Sequence, residues 1–259
     1  MKILVAGKGF IGSRAGEKLR EEDNEVKYLD RTDADFNHDI TEPFEVDEEF
    51  DVLIHTIGLA PAFFSAKQYY KVHVTGTRNL LDAVKAEKVV FLSALGTGEV
   101  DHSFFRTKRE AERIIENSDI NYTILRPSTV YGEGNKLLEL MKKTSFTRVF
   151  PDIKTRTQPI RREDLAKVVR KTVENYEGEK LDLAGNQQVS IGELARKLYQ
   201  NEGYSCYLLP APIFFFELML VLLSVLPPPF EKENIKILRS SNTTDNNDAE
   251  RIVDLKDIF

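Results

Sequence analysis

The sequence predicts an α/β fold built on a doubly wound parallel sheet, and three observations carry that prediction. Short apolar runs alternate with helical patterns through the first half of the 259-residue chain. The first run, Lys2-Ile3-Leu4-Val5-Ala6, passes directly into a glycine-rich turn. The second run ends on a carboxylate, Asp30. Strands covered on both faces read as continuous apolar runs, and parallel strands need helical crossovers between them. Right-handed crossovers then set a ligand crevice at the carboxyl ends of the strands.

Element by element, residues 2–6 form the first strand and 11–22 a helix ending in charged residues. Val26-Lys27-Tyr28-Leu29 and Val52-Leu53-Ile54-His55 are the second and third strands, and a long helical stretch covers 65–86. Lys88-Val89-Val90-Phe91-Leu92 is the fourth strand, 104–117 a helix, and Tyr122-Thr123-Ile124-Leu125 the fifth strand. After Pro127 the pattern loosens. Helices are expected over 136–143 and 163–174, and a strand at Lys180-Leu181-Asp182-Leu183. Ser190 and Glu193 make a capping box that opens a helix running to Tyr199. The polar stretch from Asn242 to Asp248 reads as a loop.

With 41% hydrophobic residues the chain can bury a substantial core. Its net charge of −6 argues against a nucleic-acid partner, which would need a basic face. A single cysteine, Cys206, forms no internal disulfide and suits a reducing compartment. The N-terminus has no signal-peptide layout, so a cytoplasmic protein is expected. Residues 211–226 are nearly all apolar and are followed by Pro227-Pro228-Pro229. Sixteen residues span roughly 24 Å, short of the ~30 Å hydrocarbon core, and Glu217 interrupts them. A helix packed on the second lobe or at a subunit interface is one reading. A surface that docks on a protein or at the membrane periphery is the other.

Gly7-Lys8-Gly9-Phe10-Ile11-Gly12 fits G-x-G-x-x-G between a strand and a helix. The first glycine permits the turn, the second lets backbone approach a pyrophosphate, and the third allows close helix–strand packing. The helix N-terminus adds N–H groups and the positive end of a dipole. Asp30, 23 residues after Gly7, can accept both hydroxyls of an adenosine ribose. The expected cofactor is therefore NAD or NADP. Asp30 would repel a 2′-phosphate and favours NAD, while Arg31 and Lys8 pull the other way. The expected division is a dinucleotide-binding domain over 1–130 and a smaller, interleaved substrate or partner lobe over 131–259. No metal site is assigned.

Several further stretches carry a family likeness. They are Asp51-Val52-Leu53-Ile54-His55, the run from Val72 to Ala83, Leu125-Arg126-Pro127-Ser128-Thr129-Val130-Tyr131-Gly132, and Pro159-Ile160-Arg161-Arg162-Glu163-Asp164-Leu165-Ala166. With Ser93-Ala94-Leu95-Gly96 and Phe104-Phe105-Arg106-Thr107-Lys108, they resemble the extended branch of the short-chain dehydrogenase/reductase superfamily, the nucleotide-sugar epimerases, dehydratases and relatives. The likeness covers about residues 1–200 and implies a Rossmann sheet. It implies that Asp39-Ile40 approaches adenine and that the segment holding Pro127 and Thr129 passes beneath the nicotinamide. It also implies that Lys108 reaches the nicotinamide ribose.

Family catalysis uses Asn, Ser or Thr, Tyr and Lys. The matching positions here hold His73, Ser93, Phe104 and Lys108. A phenyl ring has no proton to give, so the usual acid/base residue is missing. Ser93, Lys108 and His73 stay as catalytic candidates, and His102 is expected to be a loop residue. The wording of these motifs resembles most the atypical group that includes the dehydrogenase-like accessory subunit of respiratory complex I. That likeness implies a bound nucleotide with a structural, assembly or redox-sensing role. Two alternatives stand beside it. One is an active oxidoreductase or epimerase on a small or sugar-nucleotide substrate. The other is a lipid or quinone binding module, supported by 211–226 alone.

Overall fold

The computed structural model describes residues 1–61, 64–134, 149–201, 203–210 and 233–257. The expected helix over 136–143 and the apolar stretch 211–226 lie outside the described residues. In chain order the first half contains β1 (Lys2–Ala6), α1 (Gly12–Arg20), β2 (Glu25–Asp30), β3 (Phe36–Asn37) and β4 (Glu49–His55). It continues with α2 (Ala66–Tyr69), a π-helical turn (Tyr70–Thr75), α3 (Gly76–Ala83), β5 (Lys85–Leu92), α4 (Ser103–Glu116) and β6 (Asn121–Pro127). The second half holds β7 (Val130–Tyr131), β8 (Val149–Pro151), β9 (Arg156–Thr157), β10 (Ile160–Arg161) and α5 (Arg162–Thr172). Then come β11 (Glu179–Leu183), β12 (Val189–Ser190), α6 (Ile191–Asn201), β13 (Tyr207–Leu209), α7 (Asn234–Arg239) and α8 (Ala249–Ile252).

Seven described strands pair in the order β11-β6-β5-β4-β1-β2-β3, every pair parallel. Successive side chains of a strand point to opposite faces, and both faces are buried. On one face Ile3, Val5, Val52, Ile54 and Val90 pack with Ala15 and Leu19 of α1 and Leu165, Val168 and Val169 of α5. On the other, Leu4, Ala6, Leu53, Val89 and Phe91 pack with Leu80 of α3 and Ala111 and Ile115 of α4. The strand order reverses between β1 and β4, so the crevice opens there, at their carboxyl ends.

Among the described residues the expected strands and helices are present, with two differences. The stretch expected as one helix over 65–86 is broken by the π-helical turn, which carries His73. β3 is a two-residue addition to the sheet edge, too short to leave an apolar pattern. The capping box forms as expected, with Ser190 N–H donating to Glu193 Oε2 at 2.9 Å and Glu193 N–H to Ser190 Oγ at 3.1 Å. α5 is tied to the sheet by the buried Lys88, whose ammonium donates to the carbonyls of Thr172 (2.8 Å) and Asn175 (2.6 Å) at the helix end.

The tail from Asn242 to Asp248 is irregular, as expected, yet it is built into the fold. β11 is an edge strand, and its free amides need partners. Asp182 N–H donates to Asp248 Oδ2 and Ala184 N–H to Asn247 Oδ1, both at 2.9 Å. Asn242 goes deeper. Its Oδ1 accepts from Thr129 N–H (2.9 Å) and Ser128 Oγ (2.6 Å), and its Nδ2 donates to Leu95 O (3.1 Å). Asn242→Ala should therefore cost on the order of 2–3 kcal/mol of stability, because buried donors and an acceptor lose their partner. Asp245→Ala, exposed on the same loop, should stay within about 0.5 kcal/mol. Urea denaturation of the two variants checks this, and equal losses would contradict it.

Candidate functional site

The glycine loop is shaped by what fits and what does not. Gly7 has a φ of +106°, and its N–H donates to Leu29 O at 2.8 Å. A Cβ on Gly12 would stand 1.9 Å from Gly7 O and 2.5 Å from Thr56 Oγ1, so only glycine lets α1 sit this close to β1. A Cβ on Gly9 would meet nothing within 4 Å. That open side is where a phosphate group can approach the backbone. Ile11 occupies the cap position of α1 with no side-chain cap, and the first turn has no acid, so the positive helix end faces the loop uncompensated.

Asp30 closes the loop from below. Its carboxylate accepts from Lys8 N–H and from Arg31 N–H, each at 2.7 Å. The ammonium of Lys8 is turned to Asp33, at 2.6 Å from its carbonyl and 3.2 Å from its carboxylate, and not toward Asp30. Asp39 accepts from Thr41 N–H at 2.9 Å, which holds its carboxyl below the usual range. Ile40 is buried, and a Cβ on Gly76 would meet its Cδ1 at 2.6 Å. Phe10 is half-buried beneath the Arg162 guanidinium, 5.0 Å from its ring centroid. Pro127 O accepts from Leu95 N–H at 2.9 Å, and Thr129 Oγ1 lies 2.9 Å from Thr157 Oγ1.

The other end of the crevice is buried. Lys108 is 4% exposed, its ammonium donates to Leu92 O at 2.7 Å and lies 4.8 Å from the Phe91 ring centroid. A Cβ on Gly58 would stand 3.0 Å from Lys108 Nζ, so the glycine makes room for the lysine. Burial pulls the Lys108 pKa down to about 7. Phe104 lies in an aromatic cluster, its ring centroid 5.7 Å from that of Tyr69, 5.5 Å from that of His73 and 4.9 Å from that of Phe105, all edge-on.

His73 has both ring nitrogens engaged. Nε2 accepts from Leu59 N–H at 3.1 Å, which assigns the proton to Nδ1, 2.9 Å from Thr107 Oγ1. Burial, with Lys108 and His55 nearby, takes its pKa down to about 2, so it is neutral. His102 lies outside the helix, as expected, at its cap position. It is buried and caps α4, its Nδ1 accepting from Phe104 N–H at 3.0 Å. The Ser93 hydroxyl is engaged too. Its hydroxyl donates to Glu112 Oε1 at 2.5 Å, and Arg126 holds the same carboxylate through Nε (2.9 Å) and Nη2 (2.6 Å).

The structure adds residues that sequence reasoning passed over. Glu112 stands four positions after Lys108, on the same helix face, a spacing that could have marked it. Thr56 bridges Ala6 O and Gly7 O at 3.0 Å each. His55 is fully buried, with Nε2 3.0 Å from Thr77 Oγ1, and Thr77 donates to His73 O at 2.5 Å. His55 Nε2 therefore carries the proton, and its Nδ1 has no partner among the described residues. Burial brings its pKa down to about 3. Among the described residues no His, Cys, Asp and Glu group could hold a metal, and no helix is long and apolar enough to cross a membrane.

These histidines set a pH dependence. Unfolded, each binds a proton below about pH 6.5; folded, His55 and His73 refuse it down to about 3 and 2. The unfolded state holds more protons in that window, so the histidines' contribution is complete above about pH 6.5 and is lost as pH drops through it. The slope should approach about 1.4 kcal/mol per pH unit for each histidine. Lys108 acts likewise higher up, its share rising from pH 7 toward 10.5. Denaturant midpoints measured from pH 4 to 7 should show the slope, and His73→Gln should flatten it by about half. A profile unchanged in that variant would contradict the assignment.

This crevice, with its open glycine loop, carboxylate and buried lysine, can be set beside known proteins. No curated protein matches the chain. Among solved structures, UDP-glucose 4-epimerase from Thermotoga maritima, with UDP-glucose, is 19% identical at a TM-score of 0.66, covering 82% of this chain and 86% of that one. A tyrosine-to-phenylalanine mutant of UDP-glucuronic acid 4-epimerase from Bacillus cereus, in complex with NAD, is 19% identical at a TM-score of 0.73, covering 100% and 95%. A dTDP-4-dehydrorhamnose reductase from Clostridium acetobutylicum is 21% identical at 0.70, covering 92% and 98%. At these identities the likeness is one of fold, a parallel Rossmann sheet. A family model described as NAD(P)H-binding matches residues 7–176, from the first glycine of the loop to beyond α5, and the chain belongs to that family.

Proposed function

We propose that this protein binds its nicotinamide dinucleotide for a structural, assembly or redox-sensing role and not for standard hydride chemistry. The observation that carries this reading is Phe104. The side chain where the resemblance calls for a proton donor is a phenyl ring, 6% exposed, packed against Tyr69, His73 and Phe105. The groups around it are committed. Ser93 donates to Glu112, and His73 is neutral with both nitrogens bonded. When bound, the dinucleotide supplies a hydride donor or acceptor. The chain supplies the loop backbone for the pyrophosphate, Asp30 for the ribose hydroxyls and Lys108 for the second ribose. Asp30 and the engagement of Lys8 by Asp33 favour NAD over NADP.

One observation favours a second reading, an active oxidoreductase or epimerase. Lys108, with a pKa of about 7, could take or give a proton at neutral pH. The solved relatives named above act on or hold sugar nucleotides, which makes that class the substrate to try. The lipid or quinone reading rests on 211–226, and those residues lie outside the described ones.

Calorimetry with NAD and NADP, beside a nicotinamide absorbance assay over carbonyl and sugar-nucleotide substrates, separates the readings. The native protein should bind NAD and show turnover lowered by roughly 10²–10⁴-fold from an enzyme with its general acid in place. Gly9→Val should abolish binding, because the branched side chain fills the phosphate approach. Asp30→Ala should weaken NAD more than NADP. Phe104→Tyr should gain turnover if the pocket accepts the substrate. Brisk native turnover that Lys108→Met removes would establish the second reading in place of the first.

A further inference from the structure

The geometry points to Arg162 as a cationic clamp for the pyrophosphate of the dinucleotide, supplied from the second half of the chain. This rests on the glycine loop being the phosphate site. A bound pyrophosphate carries one negative charge on each phosphate, and a helix N-terminus offers only about half a positive charge in return. A nearby guanidinium would make up the difference, and its planar fork matches phosphate oxygens.

The basic side chains of the loop itself are engaged elsewhere. Lys8 is paired with Asp33. Arg14, in the first turn of α1, is held by Glu163 at 2.5 and 2.9 Å and by Glu17 at 2.6 Å. Arg162 has no carboxylate within ion-pairing distance among the described residues. It opens α5, and a Cβ on Gly132 would stand 3.0 Å from its Cβ, so that glycine gives it room. Its guanidinium lies over the Phe10 ring. Nη2 donates to Ser13 Oγ at 2.8 Å and Nη1 to Glu133 O at 3.2 Å, while Nε is buried with no partner. Ser13 Oγ in turn donates to Gly9 O at 2.8 Å, so two hydrogen bonds through Ser13 link the guanidinium to the open glycine. A positive charge without an acid, an unpaired N–H and an aromatic rest thus converge on the loop that the phosphates approach.

Through this clamp, cofactor binding would reach the second half of the chain. α1 and α5 are already joined by the Arg14–Glu163 pair, and Arg162 adds a contact through the ligand.

Calorimetry with NAD and saturation-transfer NMR with adenosine, which lacks phosphate, test this on the full chain. Arg162→Gln should weaken NAD roughly 10–100-fold, the range expected for charge-assisted hydrogen bonds, and leave adenosine unchanged. The native affinity for NAD should also fall more steeply with salt than that of the variant. Equal NAD affinity in native and Arg162→Gln proteins would overturn the proposal, as would a parallel loss of NAD and adenosine. Should Arg162→Gln fail to fold by circular dichroism, Arg162→Lys, which keeps the charge without the fork, replaces it. A severalfold loss for NAD alone supports the clamp, and native affinity overturns it. Failure of the native protein to bind NAD, or undiminished binding in Gly9→Val, would instead sink the glycine-loop reading beneath it.

Discussion

A carboxylate buried in a core must be paired, and Glu112 is the point on which the closed end of this site depends. It is 1% exposed, in the middle of α4, between two strands of the central sheet. Arg126 from β6 meets it with two donors, and Ser93 at the end of β5 and Thr97 add hydroxyls. Removing one partner of such a group strands a charge in low dielectric, a cost of about 3–5 kcal/mol. The arrangement therefore fixes the rotation of α4 against the sheet. That rotation in turn sends Lys108, one turn earlier, against Leu92 and Phe91, and Phe104, a further turn back, into the aromatic cluster.

The two ends of the crevice consequently differ in kind. At the glycine loop, backbone and charge are accessible, with Lys8 and Gly9 exposed and Asp30 half-buried. At the lysine end the side chains are buried, and His55, His73 and Lys108 are pushed toward their neutral forms. Desolvation is the largest cause for His55, His73 and Lys108 alike. The hydroxyls that line this end already donate to fixed acceptors. Thr107 donates to Ser103 O or Phe104 O, and Thr77 to His73 O.

The tail ties these parts together from outside. Asn242 joins the loop after β5 to the segment after β6, while Asp248 and Asn247 satisfy the edge amides of β11. A polar, irregular segment thus takes over the task that another strand would perform at a sheet edge.

The sequence by itself determined the sheet, because the apolar runs at β1, β2, β4, β5 and β6 have no other way to bury two faces. It also determined the glycine loop, since Gly7 and Gly12 answer to backbone conformation and close packing that are local to one strand and one helix. It named residue 104 as a phenylalanine, and with it the absence of a hydroxyl. Tertiary structure decided what depends on side chains meeting from distant segments. Ser93 is read as a site serine, and only the fold shows its hydroxyl donating to Glu112; His102 is read as a loop residue, and only the fold shows that it caps α4. Asn242 reads as part of a loop, and only the fold brings the loop after β5 and the segment after β6 together on it. The physical reason is that periodicity reports which face of an element is buried, whereas hydrogen-bond partners are chosen by contacts that no local pattern records.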